Sequence, residues 1–396
     1  MISVGIDVSK GKSTVCIMKP CGEILESPFD IGHTADELDS LISLIKSFDE
    51  ETRVVMEDTG HYHLPVATYL SSHNIFVCCV NALRMKKFCS QSIRRAKTDK
   101  IDSSKIASFG ITYWNELVKA YPSNVIYDEL KFLARQYYQV TGMLVKSKVN
   151  FSNLLDQVMP KINDVLSNQG ENHKLTEFVS RYIHFQNILD MGEMKFTSDY
   201  CKWAKKKGYR LNERKAAEIL ALAQTGIPTL PNSQSVKIAV SEAVKLIHSI
   251  EESRNTILAQ MQDLCNTLPE YSVVKEMDCI GDTLAPRIIA EIGDVRRFKN
   301  KHSLIAYAGI DAPPYQSGAF HASERHISKR GNSYLRKTGY EIMQSLIKHK
   351  PADNAVYDFI QKKRSEGKCG KEAMIAGLNK FLRVYYGKVM EFYSEH

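Results

Sequence analysis

The spacing of apolar residues changes along this chain, and no other feature limits its folding as much. Through residue 115 they come in short runs of strand length: ISVGIDV, STVCIMK, EILESPFD, RVVME and NIFVCCV. Between the runs the spacing is helical. Leu38, Leu41, Ile42 and Ile45 recur at threes and fours after Thr34, which predicts a helix over 34–48, and 62–72 and 98–113 read as helices too. The order β-β-β-α-β-α-β-α is a meander followed by crossover units, as in a ribonuclease-H-like mixed sheet. Beyond residue 115 long helical patterns take over. Leu130, Leu133, Tyr137, Val140, Leu144 and Phe151 mark one face of a run that Pro160 stops. A second runs from Val236 through Val240, Val244, Ile247, Ile250, Ile257, Met261, Leu264 and Leu268, with Arg254 interrupting it. Threes and fours sustained over about four heptads predict an antiparallel or intermolecular coiled coil. The expected class is therefore α/β plus α: an α/β domain at 1–115, a helical region with a coiled coil and a basic insertion at 116–272, and a mostly helical domain at 273–396.

Composition removes other classes. A chain of 396 residues suits two or three domains. It has no run near the ~18 apolar residues of a membrane span, so no membrane partner is expected. The start, MISVGIDVSKGKS, lacks the pattern of a secretory signal. Nine scattered cysteines form no CxxC pair, which argues for reduced thiols and a cytoplasmic protein. The net charge of +8 is mild but unevenly placed. Arg84, Lys86, Lys87, Arg94, Arg95, Lys97, Lys100 and Lys105 crowd one stretch. Lys202, Lys205, Lys206, Lys207, Arg210, Arg214 and Lys215 crowd another. Such clusters suit a polyanion, and equally a solvated helix face.

Four carboxylates stand out. Asp7 lies in a strand that wants burial, where an unpaired charge is costly. Glu57 ends the strand RVVME, at the usual ligand edge of an α/β sheet. Asp99 and Asp102 project from one face at the start of a helix, where the helix dipole favours them in any case. Each alone is ordinary. In a ribonuclease-H-like sheet these elements converge, and four carboxylates together need cations. Oxygen-only ligation suits Mg2+ or Mn2+, and two such ions suit phosphoryl transfer. Near the other end, CIGDTLAPRIIAEIGDVRRF sets a glycine turn before a helix, which fits a phosphate contact or a plain helical hairpin.

GIDVSK, MEDTGHYHLPVATYL and RRAKTDKIDSSKIA resemble the N-terminal domain of the DEDD transposases of the insertion-sequence 110 family. GIDAPPYQSGAFHASERHISKRGNSYLRK resembles that family's second domain. The resemblance implies a RuvC-like fold with Asp7, Glu57, Asp99 and Asp102 as its acidic tetrad. It implies Ser317 as the nucleophile on a DNA phosphate. It also implies a structured guide RNA encoded by the element, which pairs with donor and target DNA. Assembly as a homodimer or homotetramer is expected, because cutting two duplexes takes several active sites. A prokaryotic protein, associated with the nucleoid when acting, is the matching expectation.

By residue type alone the serine stays open. Ser317, Ser323 and Ser328 are chemically equal, and a serine needs a base or metal to activate it. His321 and His326 read most simply as surface or phosphate-contacting histidines. Arg94, Arg95 and Lys97, with Lys329, Arg330 and Arg336, are candidate contacts to the nucleic-acid backbone, or a basic helix cap. Three other readings compete: a RuvC-like nuclease that activates water without a covalent intermediate, an RNA-binding or architectural protein, and an actin-like kinase fold. The four carboxylates weigh against a pure binding module. The lack of later glycine-rich loops weighs against the kinase.

Overall fold

A computed structural model describes the chain except residues 59, 91–97, 121–124, 169–172, 211–212, 314–315, 318–319 and 322–325; for 316–317 and 320–321 it gives the backbone alone. The chain divides into two compact units, residues 1–123 and 124–396.

The first unit is a mixed sheet in the order β3-β2-β1-β4-β5. β1 (Ile2–Val8), β2 (Lys12–Met18) and β3 (Ile24–Gly32) form an antiparallel meander. The chain then crosses through α1 (Ala35–Lys46) to β4 (Thr52–Asp58), parallel to β1. It crosses again through α2 (Leu64–Ser72) to β5 (Val77–Asn81), parallel to β4. The order of elements along the chain, through β5, is the one that the sequence pattern predicts. β1 is central and covered on both faces, so it reads as a nearly continuous apolar run. β3 is an edge strand, the place in a sheet that tolerates Pro28. Val4, Ile6, Leu38, Leu41, Ile42, Val66 and Leu70 share one core, on the α1–α2 side. On the other side Val55, Cys78 and Val80 pack with Met85, Ile106 and Phe109. Those last three belong to α3 (Ala82–Cys89), which the apolar pattern did not reveal, and α4 (Asp99–Thr112).

The second unit is almost all helix. α5 (Val125–Val158) and α11 (Gln234–Cys265) pack along each other. The start of α5 shares a core with the end of α11, so the pair is antiparallel. Between them α6 (Ile162–Val165), α7 (Lys174–Tyr182), α8 (Phe185–Met191), α9 (Glu193–Lys206) and α10 (Glu213–Thr225) make a lobe. The lobe has its own aromatic core, with Phe178, Phe185, Phe196, Tyr200 and Trp203 buried alongside Leu155 of α5 and Val240 of α11. The basic 161–233 stretch is thus folded around apolar side chains.

Past α11 come α12 (Tyr271–Lys275), α13 (Gly281–Ile292), α14 (Lys301–Ala308), the short β6 (Gln316–Ser317) and β7 (Phe320–His321), α15 (Ser333–His349), α16 (Ala355–Ser365) and α17 (Gly370–Glu395). Asn300, Asn332 and Asn354 cap α14, α15 and α16, each side-chain oxygen accepting from two backbone N–H groups of the first turn. No helix among the described residues is long and apolar enough to cross a membrane.

Candidate active site

The carboxylate edge is built by the packing of α4 on β1. A Cβ placed on Gly5 would lie 2.2 Å from Ala107 N and 2.4 Å from Ser103 O, so glycine lets the helix rest directly on the strand. One helical turn further along, Gly110 rests against Ser3. Helix and strand therefore run in opposite directions, and the first turn of α4 lies toward Asp7. Thr98 caps that turn, its Oγ1 accepting from Ile101 N at 3.3 Å.

Ile6 and Met56 are the last partners of the β1–β4 ladder; Asp7 and Glu57 come next, each still paired on its other side, with Thr14 of β2 and Val80 of β5, so they stand side by side near the strand ends. Period two puts them on the face of Gly5 and Val55, which is the α4 face. Cys89, at the end of α3, responds to their charge. Its thiol is pushed up, first by burial; Lys105 opposes the shift, and Asp102, Glu57 and Asp7 reinforce it. Asp99, a turn earlier, is exposed. Lys105 belongs to the same cluster, with Nζ 3.8 Å from Asp102 Oδ1 and both side chains about three-quarters covered. Read from the sequence it was one of a basic run; one turn of helix after Asp102 was the clue to its place.

Oxygen-only donors at the end of two central strands are the right chemistry for a hard divalent cation. Among the described residues no three His, Cys, Asp or Glu side chains close into a metal-holding group.

Of the other expected residues, Arg94, Arg95 and Lys97 lie outside the described residues, as does Ser323. Ser317 ends β6 and pairs in antiparallel register with Phe320 of β7, and Gln316 pairs with His321. Ser328 is committed to a partner, its Oγ donating to the Asp311 carboxylate. Lys329 and Arg330 are exposed. Arg336 is half-buried, and its Nη1 donates to Ala308 O at 2.9 Å and Gly331 O at 3.1 Å. Gly281 opens α13 with φ at +58°. Sequence reasoning passed over Asp311, Asn332 and Glu291, all of which shape the serine segment. Asn332, just before a helical pattern, carried a readable capping signal.

Residues 4–160 match the family model of IS110-type DEDD transposases, described as "Transposase". Residues 271–358 match the one described as "Transposase IS116/IS110/IS902 family". The chain is 22% identical over 378 residues to the insertion element IS116 uncharacterized 44.8 kDa protein of Streptomyces clavuligerus, covering 95% of this chain and 91% of that one. It is also 22% identical over 299 residues to the insertion element IS110 uncharacterized 43.6 kDa protein of Streptomyces coelicolor, covering 76% and 72%. A pilin gene-inverting protein of Moraxella bovis is 26% identical over 136 residues, 33% of this chain and 42% of that one. Among solved structures, Thermus thermophilus RuvC aligns with 29% of this chain and 96% of its own at 12% identity, with a TM-score of 0.24.

Proposed function

Because the chain belongs to the IS110-type DEDD transposases, we propose that it excises and inserts an insertion element through a serine nucleophile and a metal-binding carboxylate cluster. The observation that supports the reading is that Asp7 and Glu57 stand on the α4 face of adjacent strands, with the first turn of α4, which bears Asp102, toward Asp7, in a chain whose C-terminal block also matches the family. Asp7, Glu57 and Asp102, with Asp99 at the rim, would hold Mg2+ or Mn2+, which when bound would stabilise charge on the phosphoryl oxygens. Lys105 would offset carboxylate repulsion while no cation is present.

Ser317 Oγ attacks the phosphorus of the scissile phosphodiester. The Oγ–P bond forms, the bond to the departing sugar oxygen breaks, and the serine proton is balanced by the proton that oxygen takes up. The phosphoserine ester keeps the energy of the broken bond, so the reverse attack by a sugar hydroxyl reseals DNA without an external energy source. Lys329 and Arg330 would hold the backbone on either side. Arg336 has one nitrogen committed to carbonyl groups and has less to offer. Arg94, Arg95 and Lys97 would add contacts from the first unit. The reading needs one phosphodiester to meet both units, within a chain or between subunits of a dimer or tetramer. A structured RNA from the element would choose donor and target.

Denaturing electrophoresis of end-labelled element-end DNA, followed by peptide mapping, tests this. Stopped reactions should contain DNA joined to Ser317, and Ser317→Ala should bind DNA but form neither adduct nor recombinant. Asp7, Glu57 and Asp102 all belong to the first unit, which favours a second reading: a nuclease that activates water. Cleavage by Ser317→Ala, with no adduct in the wild type, would establish that reading instead.

A further inference from the structure

The chain segment that carries Ser317 is tied where its two ends cross. Lys329 N donates to Gly309 O at 2.9 Å, and Asn332 N to Tyr307 O at 2.7 Å. Two residues further into the loop, Ser328 N donates to Asp311 O at 2.8 Å and Ser328 Oγ to the Asp311 carboxylate. The crossing is as close as backbones allow. Gly309 sits at φ +64°, and a Cβ on Gly331 would lie 2.3 Å from Tyr307 O and 2.6 Å from Gly309 N.

The crossing is also anchored from below. Asn332 Oδ1 accepts from Tyr334 N and Leu335 N, capping α15. Its Nδ2 donates to Glu291 Oε2 at 2.7 Å. Glu291 has no exposed side-chain surface and also accepts from Arg135 Nη2 at 3.0 Å. Asn332 therefore bonds the last turn of α14, the start of α15 and a buried carboxylate at once. That expenditure of buried polar groups exceeds what a surface loop needs, and it fixes where the loop leaves the domain.

We propose that Asp311, Ser328 and Asn332 are positioning residues that clasp the ends of the serine loop and hold Ser317 in place for attack. The proposal rests on Ser317 as the nucleophile. A misplacement of about 1 Å at a reacting atom costs on the order of 10²-fold in rate, so opening the clasp should show in the rate of bond formation and not in DNA binding.

The test is the rate of adduct formation by the full-length protein on labelled element-end DNA under single-turnover conditions, with DNA affinity and the melting midpoint measured alongside. Ser328→Ala and Asp311→Ala should each slow adduct formation by about 10–100-fold, with affinity unchanged. The double variant should be no slower than the slower single one, because the two act as a unit. Asp311→Asn keeps an acceptor oxygen for Ser328 and should stay near the wild-type rate, as should Ser328→Thr, which keeps the hydroxyl. These two conservative variants carry the test if the alanine variants melt early. Wild-type rates in both alanine variants overturn the clasp. So does a large loss in Asp311→Asn, which would mark Asp311 as a base for Ser328, and so does an adduct on Ser328. An adduct that survives Ser317→Ala overturns the serine assignment instead, which separates the two failures.

Discussion

In the first unit the proposed chemistry rests on the stiffest parts of the fold. Asp7 and Glu57 end adjacent parallel strands, and Asp102 sits on a helix in backbone contact with one of them. In the second unit Ser317 ends a strand of two residues, and its segment is held by hydrogen bonds at its base. Carboxylates that must share a cation need fixed separations, which a sheet supplies. The proposed nucleophile, which would attack and later release DNA, can use a loop with a defined root. The two units should therefore fail differently when disturbed.

The largest effect is expected at the carboxylates. Asp7→Asn should cut strand cleavage by about 10²–10³-fold, the scale of losing one charge-stabilising group in an active site. The fold should survive, because the amide keeps the size of the carboxylate and one acceptor oxygen. An excess of chelator should abolish cleavage in the wild type. Full cleavage by Asp7→Asn, or in chelator, would remove the first unit from the reaction and leave the serine loop alone.

Next comes the packing that places Asp102. Gly5→Ala should destabilise the first unit by about 1–3 kcal/mol, because the new methyl meets backbone atoms of α4 that no rotamer change can move. It should also lower cleavage. Gly142, inside α5, is the contrast: nothing lies within 4 Å of a Cβ placed there. Gly142→Ala should stabilise the second unit by about 0.4–1 kcal/mol. Denaturant titration followed by hydrogen exchange in each unit reads both. Equal and small effects would show that α4 can shift without cost.

How far the sequence showed all this follows the same division. The strand order, α4 and the placement of Asp7 and Glu57 at strand ends were legible, because a buried sheet writes itself as apolar runs and their ends are visible. α3 was not: of ALRMKKFC only Met85 is buried, too little to give a period. In the second unit α5 and α11 were legible from their threes and fours. The lobe between them reads as a basic insertion in a helical region; its aromatic core stayed hidden because the aromatic residues are spread over several short helices. The clasp was invisible, since Asp311 and Ser328 are far apart in sequence and pair only after the chain crosses at Gly309 and Gly331. Ser317 came from family resemblance, not from its neighbours.

A smaller effect concerns the lobe. Lys207 already pairs with Glu177 at 3.0 Å and Lys215 with Glu218 at 3.1 Å. Lys202, Lys205, Lys206 and Arg210 are exposed. Replacing those four with Gln should weaken nucleic-acid binding and flatten the slope of log affinity against log salt by about one unit per lost phosphate contact. Lys207→Gln alone should leave the slope unchanged. A slope that ignores all five changes would make the run a solvated face and confine nucleic-acid contact to other parts of the chain.

The smallest effect appears only in alkali, and it compares the units directly. Burial pushes the Cys79 thiol in the first unit and the Cys265 thiol in the second up to about 12. The second unit also holds Tyr393, Tyr200 and Tyr209, each pushed up to about 12, chiefly by burial. Below about pH 9 the folded and unfolded chains both keep these protons, so pH does not act through them. Above that the unfolded chain releases thiol protons, and from about pH 10 tyrosine protons, while the folded chain holds them until about pH 12. The folded state then binds more protons than the unfolded state, so stability falls as pH rises. With thiol and tyrosines together, the second unit should lose protection more steeply than the first between about pH 9 and 12. Hydrogen exchange read separately in residues 1–123 and 124–396 across that range measures the two slopes. Cys79→Ala should flatten the slope of the first unit alone. Equal slopes in wild type, or a flattening that reaches both units, would mean that the units unfold as one and that their separate chemistries rest on a shared stability.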